Sequence, residues 1–308
     1  MNKKYKVAGI GEVLWDQLPQ GDVLGGAPAN VAYHAGQLGA ESNIISAVGN
    51  DKLGNEIISR LSAKNINLLI SRVAYPTGTV KVTLDDQGVP YFVITKDVAW
   101  DYIELTNECI NLAGQLDAVC FGSLAQRNDV SHHAIVKFLN LVPENALKIF
   151  DINLRQNFYD KQLINESIKI SNILKINDDE LLIVSKLFGW EGDEEYLCRN
   201  LLDNYELKLI AYTCGTKGSY LYSKDEKSFL KTPSVRVKDT IGAGDSFTAA
   251  LMVSLLNGDT LSKCHALAVN ISAFVCENDG AMPEYTKELW NRINKVSLTV
   301  NIPKKKTY

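Results

Sequence analysis

The 308-residue sequence predicts an α/β fold in which helices cover both faces of a mostly parallel central sheet. Short apolar runs of strand length alternate along the chain with longer, helix-like segments. Two β-rich runs near residue 80 interrupt this alternation and predict a small additional sheet. The composition, 46% hydrophobic and 22% charged, provides ample material for the core of such a globular protein.

The N-terminal part of the chain begins the alternation. We predict strands over 6–10 and 43–48 and helices over 28–38 and 53–64. The first helix has Pro28 in its first turn and Gly39 after its last residue, and both residue types favour those positions. This order of elements is typical of parallel strands that are joined by helices.

The interruption consists of two runs over 79–84 and 90–95, which are joined by turn-forming residues at 85–88. A hairpin inside a strand–helix series is an insertion. The sequence leaves open whether this hairpin belongs to a separate small sheet or only extends the edge of the main sheet.

The alternation resumes after the insertion. Further strands are predicted over 117–122, 147–153, 173–177 and 207–213. Helices are predicted over 131–141, 163–171, 178–188 and 194–205, followed by a local hairpin over 220–231 and by helices that start at Asp245, Ser262 and Glu284. Since no internal repeat, low-complexity segment or linker divides the chain, we expect a single domain over residues 1–308.

Charge and cysteine usage argue against several classes of protein. The net charge of −4 gives no reason to expect a nucleic-acid partner, and the lysines at 304–306 are typical of a solvated chain end. The six cysteines lack a metal-binding spacing. The apolar run at 5–10 is too short for a signal peptide or a membrane span. We therefore expect a cytoplasmic protein without a membrane partner.

The stretch from 237 to 258 has the pattern of an anion-binding site. Gly242, Ala243 and Gly244 form a small-residue turn just before a helix that is rich in Ala and Leu. Free backbone N–H groups and the positive end of the helix dipole bind anions at such a turn. Asp245 follows directly and could accept a proton from an alcohol while the amides hold the developing charge. A helix start that Asp245 merely caps is equally consistent with these residues.

Two motifs resemble the signatures of the PfkB (ribokinase-like) family of carbohydrate kinases. Asp239-Thr-Ile-Gly-Ala-Gly-Asp245 is similar to the C-terminal signature, and Gly25-Gly-Ala-Pro-Ala-Asn30 resembles the N-terminal signature in the form usual for fructokinases. The resemblance covers nearly the whole chain and implies a ribokinase-like fold, with a lid over the sugar from segments at about 13–25 and 77–98. It also implies ATP-dependent phosphorylation of a sugar hydroxyl, with Asp245 as the base and the Gly242–Gly244 amides as the anion hole.

Polar residues follow the predicted strands at their carboxyl ends, where open α/β sheets bind ligands. They are Glu12, Asp16, Asp151, Asn153, Arg155, Asn177, Glu180, Thr213, Gly215 and Gly218. Each of them alone is more typical of a turn or a helix cap. Together with Asp245 on the same rim, they favour a shared site.

The resemblance assigns sugar-binding roles to Asp16, Gly26 and Asn30, because they match family positions that hold sugar hydroxyls. Asn153 and Arg155 lie in a segment that is similar to Asp-x-Asn-x-Arg of fructokinases. Arg155 could neutralise phosphate or orient the acceptor. A structural ion pair between Arg155 and Asp151 is the alternative.

The resemblance also assigns a nucleotide and cation side. Asn177 and Glu180 match the family motif for phosphate and Mg²⁺ positioning, with the ion held through water. Asp239, the Ile241 carbonyl and residues 278–280 resemble a loop for a monovalent cation, which implies K⁺. The residues that match the nucleotide loop or lie near the adenosine are Thr213, Gly215, Gly218 and Asn270.

The remaining candidates are histidines and tryptophans. No histidine fits a metal-ligand spacing, and we interpret all four as structural or surface residues: His34, His132, His133 and His265. Trp15 and Trp100 flank the predicted lid, and either could shield the sugar, although packing of the lid is the favoured role.

Fructose is the favoured substrate, because both fructokinase-like motifs point to it. Relatives that act on ribose, 2-keto-3-deoxygluconate, tagatose phosphate or nucleosides share most of this machinery, so another kinase of the family is the first alternative. The second is a non-catalytic sugar-sensing protein on the same scaffold, which the intact Gly242, Gly244 and Asp245 argue against. The expected partners are a sugar, ATP and Mg²⁺, and the strands of the lid could pair across a homodimer.

Overall fold

The computed structural model describes residues 4–18, 21–84 and 90–299. Its strands are β1 (Lys6–Ile10), β2 (Leu14–Leu18), β3 (Gly21–Gly25), β4 (Glu41–Gly49), β5 (Asn67–Val73), β6 (Gly78–Leu84), β7 (Pro90–Ile94), β8 (Ala118–Phe121), β9 (Leu147–Asp151), β10 (Ile173–Asn177), β11 (Leu209–Thr213), β12 (Ser219–Tyr222) and β13 (Lys227–Leu230). Its α-helices are α1 (Ala27–Gln37), α2 (Lys52–Ser62), α3 (Asn107–Ala113), α4 (Asp129–Leu141), α5 (Lys161–Ile170), α6 (Asp178–Phe188), α7 (Glu194–Asn204), α8 (Ala243–Leu256), α9 (Leu261–Cys276) and α10 (Lys287–Thr299). Within the described ranges, none of these helices combines the length and the apolar character needed to cross a bilayer.

Nine strands form one sheet in the order β13-β12-β11-β10-β9-β8-β1-β4-β5. The strands from β11 to β5 are parallel, and β12 and β13 add an antiparallel edge. Successive side chains alternate between the two faces. On β8, Val119 and Phe121 join the apolar cluster of α4 to α7, whereas Ala118 and Cys120 join that of α1, α8 and α9. The predicted parallel sheet with helices on both faces is confirmed.

The parallel strands bring their carboxyl ends to one edge of the sheet. The register of β10 and β11 sets Asn177 beside Thr213 at that edge. The register of β9 and β10 sets Asp151 beside Lys175. Residues that are far apart in the sequence therefore meet where ligands bind in open α/β sheets.

Four strands form a second, smaller sheet in the order β3-β2-β6-β7. Strand β2 is antiparallel to β3 and parallel to β6, and β6 is antiparallel to β7. The inserted hairpin therefore belongs to a separate small sheet and does not extend the edge of the large one. Its predicted turn at 85–88 and the lysines at 304–306 lie outside the described residues.

The structure differs from the sequence expectations at several elements. Strand β5 and helix α3 were not predicted: β5 is a half-exposed edge strand without clear alternation, and α3 has only seven residues. Helix α8 begins at Ala243 instead of Asp245, and α10 begins at Lys287 instead of Glu284. Residues 237–240 before α8 form no strand, and the N–H groups of Lys238 and Asp239 bond to the Cys276 carbonyl at the end of α9.

Candidate active site

Helix α8 begins without a side-chain cap. Its N-cap residue Gly242 has a left-handed backbone with φ 77°, a conformation that costs a glycine little. The Ala243 amide donates to the Thr240 carbonyl at 3.2 Å and is used in a turn. Within the described residues, no hydrogen bond engages the amides of Gly242, Gly244 or Asp245. The predicted anion hole therefore keeps its Gly242 and Gly244 donors, while Ala243 shapes the turn.

Asp245 lies in the first turn of α8 and does not cap the helix. Its Oδ2 atom accepts a hydrogen bond of 2.7 Å from Nδ2 of Asn30 on α1. Burial, assisted by the nearby Asp151 carboxylate, raises the pKa of Asp245 to about 6. A carboxylate whose pKa lies near the working pH is suited to act as a general base.

Lys175 lies beneath the start of α8, and the sequence analysis missed it. Its ammonium group is 2.9 Å from Oδ1 of Asp151, and both side chains are buried. A Cβ on Gly244 would lie 3.0 Å from this ammonium nitrogen. Burial alone would lower the pKa of Lys175, but Asp151, Glu180 and Asp245 outweigh burial and raise it. The lysine is therefore a fixed positive charge next to the free amides.

This network corrects the alternative that paired Arg155 with Asp151. Thr248 on α8 donates to Oδ2 of Asp151 at 2.8 Å and the Lys175 ammonium lies beside Oδ1, so the ion-pair partner of this carboxylate is Lys175 and not Arg155. The exposed Arg155 donates to the Leu154 carbonyl at 3.1 Å, and no ion pair of the described residues contains it. A lysine in the middle of the apolar strand β10 signals that its ammonium group has a buried partner, although it does not identify that partner.

The opposite side of the site is rich in acceptors. Asp16 lies on β2 of the small sheet, and burial raises its pKa to about 6 although Arg155 opposes the shift. Asn30 is buried on α1, and its Oδ1 atom has no hydrogen-bond partner among the described residues. Gly26 precedes α1 with φ 119°, and a Cβ there would lie 2.3 Å from the Glu12 carbonyl oxygen. The predicted sugar residues Asp16, Gly26 and Asn30 thus belong to one region.

Glu12 belongs to the same region, although the sequence analysis gave it no role. Its Oε1 atom accepts from the Ala27 amide at 3.2 Å and so serves the start of α1, which lacks a cap of its own. Its buried Oε2 atom is unpartnered within the described residues. Burial raises the pKa of Glu12 to about 7, and the charge of Asp245 contributes to the shift. Raised carboxyl pKa values in one cleft are typical of functional sites.

We call Glu12, Asp16, Asn30 and Asp245 the acceptor half, and the start of α8 with Lys175 the donor half.

Asn153 follows β9 with φ 45°, an uncommon conformation for a non-glycine residue. Its carbonyl accepts from Ser123 at 3.3 Å. Arg155 is close enough to Asp16 and Asp245 to oppose the rise of both pKa values.

Asn177 and Glu180 form a capping box at the start of α6. The Asn177 side chain accepts from the Glu180 amide, and Oε2 of Glu180 accepts from the Asn177 amide, both at 2.9 Å. Oε1 of Glu180 accepts from the Leu154 amide at 3.1 Å. Burial raises the pKa of Glu180, while Lys175 opposes the shift. Both residues therefore stabilise the start of α6, in addition to any role in binding phosphate or Mg²⁺.

No group of three or more His, Cys, Asp or Glu side chains among the described residues can hold a metal ion. Mg²⁺ in phosphate-binding sites keeps several waters and needs only one or two carboxylates. The Glu180 carboxylate, which keeps further acceptor capacity on each oxygen, fits that requirement.

The predicted nucleotide loop follows β11. Thr213 ends the strand, and Gly215 and Gly218 have positive φ values of 52° and 134° in the short turn behind it. The Cys214 amide donates to the Gly218 carbonyl at 2.9 Å and closes this turn. Asn270 lies on α9, where its side chain donates to the Ala266 carbonyl of the same helix.

The predicted cation loop is tied together by Asp239. Its Oδ1 atom accepts from the Ile241 amide at 2.9 Å, and its Oδ2 atom accepts from the Gly280 amide at 3.2 Å. Asp239 therefore links the turn before α8 to the segment after α9.

The histidines are buried or line a surface pocket, and Trp15 and Trp100 pack in the interior, as the sequence analysis favoured. Trp15 and Trp100 are fully buried, and Trp15 donates to the Leu53 carbonyl at 3.1 Å. His132 and His133 line an open pocket of about 450 Å³ that none of the predicted site residues lines. His34 and His265 are buried and hydrogen-bonded.

The sequence matches the description "pfkB family carbohydrate kinase" over residues 20–287. It is 31% identical to the sugar kinase PH1459 of Pyrococcus horikoshii over 296 residues, which cover 89% of this chain and 91% of the relative. A structure of that uncharacterized sugar kinase in complex with ATP superposes with a TM-score of 0.79 and 29% identity, over 92% of this chain and 96% of the other.

Other relatives differ in the substrate that their names state. An ATP-dependent 6-phosphofructokinase of Thermoanaerobacterium thermosaccharolyticum is 28% identical over 91% of both chains. A fructokinase of Salmonella typhimurium is also 28% identical, over 83% of this chain and 85% of the relative. The two similarities are equal in identity, so they do not discriminate between the two sugars.

Proposed function

Because the chain belongs to the pfkB family of carbohydrate kinases, we propose that it transfers the γ-phosphoryl group of ATP to a hydroxymethyl oxygen of a ketose, with fructose as the favoured acceptor. The observation that carries this proposal is the hydrogen bond between Asn30 and Asp245. It ties the acceptor half to the first turn of α8, where the donor half begins, and does so at the residue that would take the proton.

The acceptor half suits a polyhydroxylated ligand. Sugar hydroxyls donate hydrogen bonds, and Glu12 and Asn30 each carry a buried oxygen that has no partner among the described residues. Asp16 adds a carboxylate from the small sheet. Such a group of acceptors would hold a sugar and repel a polyphosphate.

The donor half suits a phosphoryl group. The amides of Gly242 and Gly244 and the ammonium of Lys175 would face the charge that develops during transfer. When bound, ATP supplies the γ-phosphoryl group, and Mg²⁺ neutralises part of its charge. The Thr213–Gly218 loop would hold the nucleotide, and Asn177 with Glu180 would position the phosphates.

Asp245 would act as the base in a single in-line step. Its carboxylate accepts the proton of the sugar hydroxyl while that oxygen forms a bond to phosphorus and the bond to the ADP oxygen breaks. Asn30 orients the carboxylate through its 2.7 Å hydrogen bond. The small sheet, which carries Asp16, would close over the sugar as a lid and exclude water, so that the sugar and not water is phosphorylated.

A sugar phosphate is the second candidate acceptor. The 28% identical 6-phosphofructokinase carries this alternative, and Arg155, which is exposed beside Asp16, could pair with its phosphate. Other family substrates, such as ribose or 2-keto-3-deoxygluconate, use the same reaction.

An ATP-consuming reaction in a chain with six free cysteines fits the cytoplasm. The lid strands, with Val93 exposed on β7, could also support a homodimer.

The test is ADP release with ATP and Mg²⁺ in the presence of fructose, fructose 6-phosphate, ribose and 2-keto-3-deoxygluconate. The proposal expects the highest kcat/KM with fructose and a sugar-dependent release that is about 10²–10⁴-fold slower in the Asp245→Asn variant. A preference for fructose 6-phosphate would replace the acceptor and keep the reaction. ADP release that no sugar stimulates would contradict the kinase proposal and favour a sugar-sensing role.

A further inference from the structure

The wall behind Gly242 is formed by residues 281–285, which we call the wall segment. It connects α9 to α10. A Cβ on Gly242 would lie 2.8 Å from both the Cα and the carbonyl oxygen of Ala281, so the two backbones are in direct contact. Any displacement of the wall segment would therefore shift the start of α8 and its free amides.

Side chains from α1 and from Lys64, two residues after α2, hold this segment by its main chain. Three successive carbonyls accept side-chain hydrogen bonds: Ala281 from His34 Nε2 at 2.8 Å, Met282 from Lys64 Nζ at 3.4 Å and Pro283 from Tyr33 at 3.1 Å. The Tyr285 amide in turn donates to the Gln37 side chain at 3.2 Å. The main chain of the wall segment is thus held by side chains that lie about 220–250 residues earlier in the chain.

His34 and Tyr33 are the buried side chains of this set, and His34 bonds to the residue that contacts Gly242. Since a carbonyl can only accept, Nε2 carries the hydrogen that is donated to Ala281. The other ring nitrogen, Nδ1, lies 2.8 Å from the Tyr285 hydroxyl, and the two rings stack with centroids 5.6 Å apart. Burial lowers the pKa of His34 to about 4, so the ring is neutral at neutral pH, with one donor and one acceptor nitrogen. Tyr285 therefore donates to Nδ1.

The same helix carries Asn30, one turn before His34. Asn30 binds the carboxylate of Asp245, and His34 binds the wall that supports Gly242. One rigid helix therefore contacts both the presumed base and the backing of the anion hole.

We propose that His34 is a positioning residue for phosphoryl transfer, because its bond to the Ala281 carbonyl holds the wall segment against Gly242 and so sets the α8 amides relative to Asp245. This inference rests on the proposed kinase function. His34 is fully buried, so it would act through the wall segment and not on a substrate. Its loss should lower kcat and leave sugar binding in the acceptor half almost unchanged.

Three variants separate positioning from packing. His34→Gln places an amide nitrogen near the position of Nε2 and keeps a donor for Ala281. His34→Leu removes the donor, and Tyr285→Phe removes only the bond to Nδ1 while keeping the stacked ring. Since a misplacement of about 1 Å can cost about 10²-fold in rate, we expect His34→Leu to lower kcat about 10-fold to 100-fold and to change the sugar KM less than about threefold. His34→Gln and Tyr285→Phe should stay within about fivefold of wild-type kcat.

A second measurement does not depend on the sugar. Backbone hydrogen exchange in a peptide covering 239–247 should be faster in His34→Leu than in wild type, and exchange in His34→Gln should match wild type. Exchange in a peptide of α7, which packs in the apolar cluster on the other face of the sheet, is the control for general loosening. This readout tests the positioning of α8 even if wild type phosphorylates no sugar in the panel, a result that would contradict only the kinase function.

The inference is overturned if folded His34→Leu keeps wild-type kcat and wild-type exchange at 239–247. It is also overturned if His34→Gln and His34→Leu lose activity and thermal stability to the same extent, because His34 would then serve packing alone. If His34→Leu does not fold, His34→Gln is compared with Tyr285→Asn, which breaks both the bond to Nδ1 and the stacking. Slower turnover and faster exchange only in Tyr285→Asn support the inference. Unchanged turnover and exchange in both variants overturn it.

Discussion

The two halves of the candidate site are built from opposite chemistry. The acceptor half contains three carboxyl groups, and burial raises the pKa values of Glu12, Asp16 and Asp245 to about 7, 6 and 6. The donor half presents the free amides of Gly242 and Gly244 and the buried ammonium of Lys175. A neutral ligand with many hydroxyls is stable in the first half, and a polyanion is stable in the second. In the proposed reaction, this difference in charge would decide which substrate lies on which side of Asp245.

The largest effect is expected from Asp245, where the two halves meet. Asp245→Asn keeps the shape of the side chain and can still bond to Asn30, but the amide cannot accept a proton. We expect a loss in kcat of about 10²–10⁴-fold, as is typical for a general base, with ATP binding retained. Steady-state kinetics and calorimetric titration with ATP check both parts. A variant that retains more than about a tenth of the wild-type rate would exclude Asp245 as the base.

Gly242→Ala tests the donor half alone. Alanine is unfavourable at φ 77°, and its Cβ would lie 2.8 Å from the Ala281 backbone, so the start of α8 must move. Removing one donor of an anion hole costs about 10²–10³-fold in kcat, and we expect a loss of this order with an unchanged sugar KM. Gly258→Ala is the matched control, because Gly258 has a similar φ of 73° but open space at its Cβ position. Equal losses of activity in the two variants would mean that the strain acts through the stability of α8.

Asp16→Ala and Asn30→Ala test the acceptor half. A lost hydrogen bond costs about 0.5–1.5 kcal/mol for a neutral partner and about 1.5–3 kcal/mol for a charged one. We therefore expect the sugar KM to rise about 10-fold for Asn30→Ala and up to about 100-fold for Asp16→Ala, with a much smaller change in the ATP KM. Asn270→Ala, on the presumed adenosine side, should leave the sugar KM unchanged. If both KM values rose together, Asp16 and Asn30 would belong to folding and not to the sugar site.

The dependence of activity on pH reports the protonation of the acceptor half. The pKa of Asp245 is raised to about 6, and a base works only when it is deprotonated. The activity should therefore be constant above about pH 7 and fall towards tenfold per pH unit below about pH 6. A profile of kcat/KM between pH 5 and 8 measures this fall. An activity that stays constant down to pH 5 would place the pKa of the base at its ordinary value.

The smallest effect is expected from potassium. Asp239 joins the turn before α8 to Gly280, and carbonyls of these segments could hold a monovalent cation that fixes the α8 amides. We expect KCl to raise kcat several-fold over choline chloride at constant ionic strength, with sodium and lithium substituting poorly. Magnesium and substrates are kept saturating. A response that does not depend on the cation would exclude this loop as a cation site and leave the role of Asp245 unaffected.

Local structure around the candidate site was predicted best where a residue acts through its neighbours in the chain. The turn at Gly242 and the capping box of Asn177 and Glu180 follow from short-range patterns. The start of α8 was predicted two residues late because Asp245 is a favoured cap residue, but here its carboxylate bonds to α1. Strand β5 was missed because it is half-exposed and lacks a clear period of two.

Lys175 shows why the rest could not be predicted. In the sequence it is one charged residue in a short strand, and only the pairing of β9 with β10 sets it beside Asp151. His34 is similar, since its partners Ala281 and Tyr285 are about 250 residues away in the chain. No local pattern records such a partner.

The sequence by itself determined the alternation of strands and helices, the small-residue turn before α8 and the identity of the residues at the strand ends, because these depend on contacts within a few residues. Only the tertiary structure decided that Asn30 reaches Asp245 across 215 positions, that Lys175 neutralises Asp151 and that burial raises the pKa values of the acceptor half. The physical reason is that desolvation and long-range hydrogen bonds depend on strand order and helix packing. These are properties of the assembled sheet and not of any single segment.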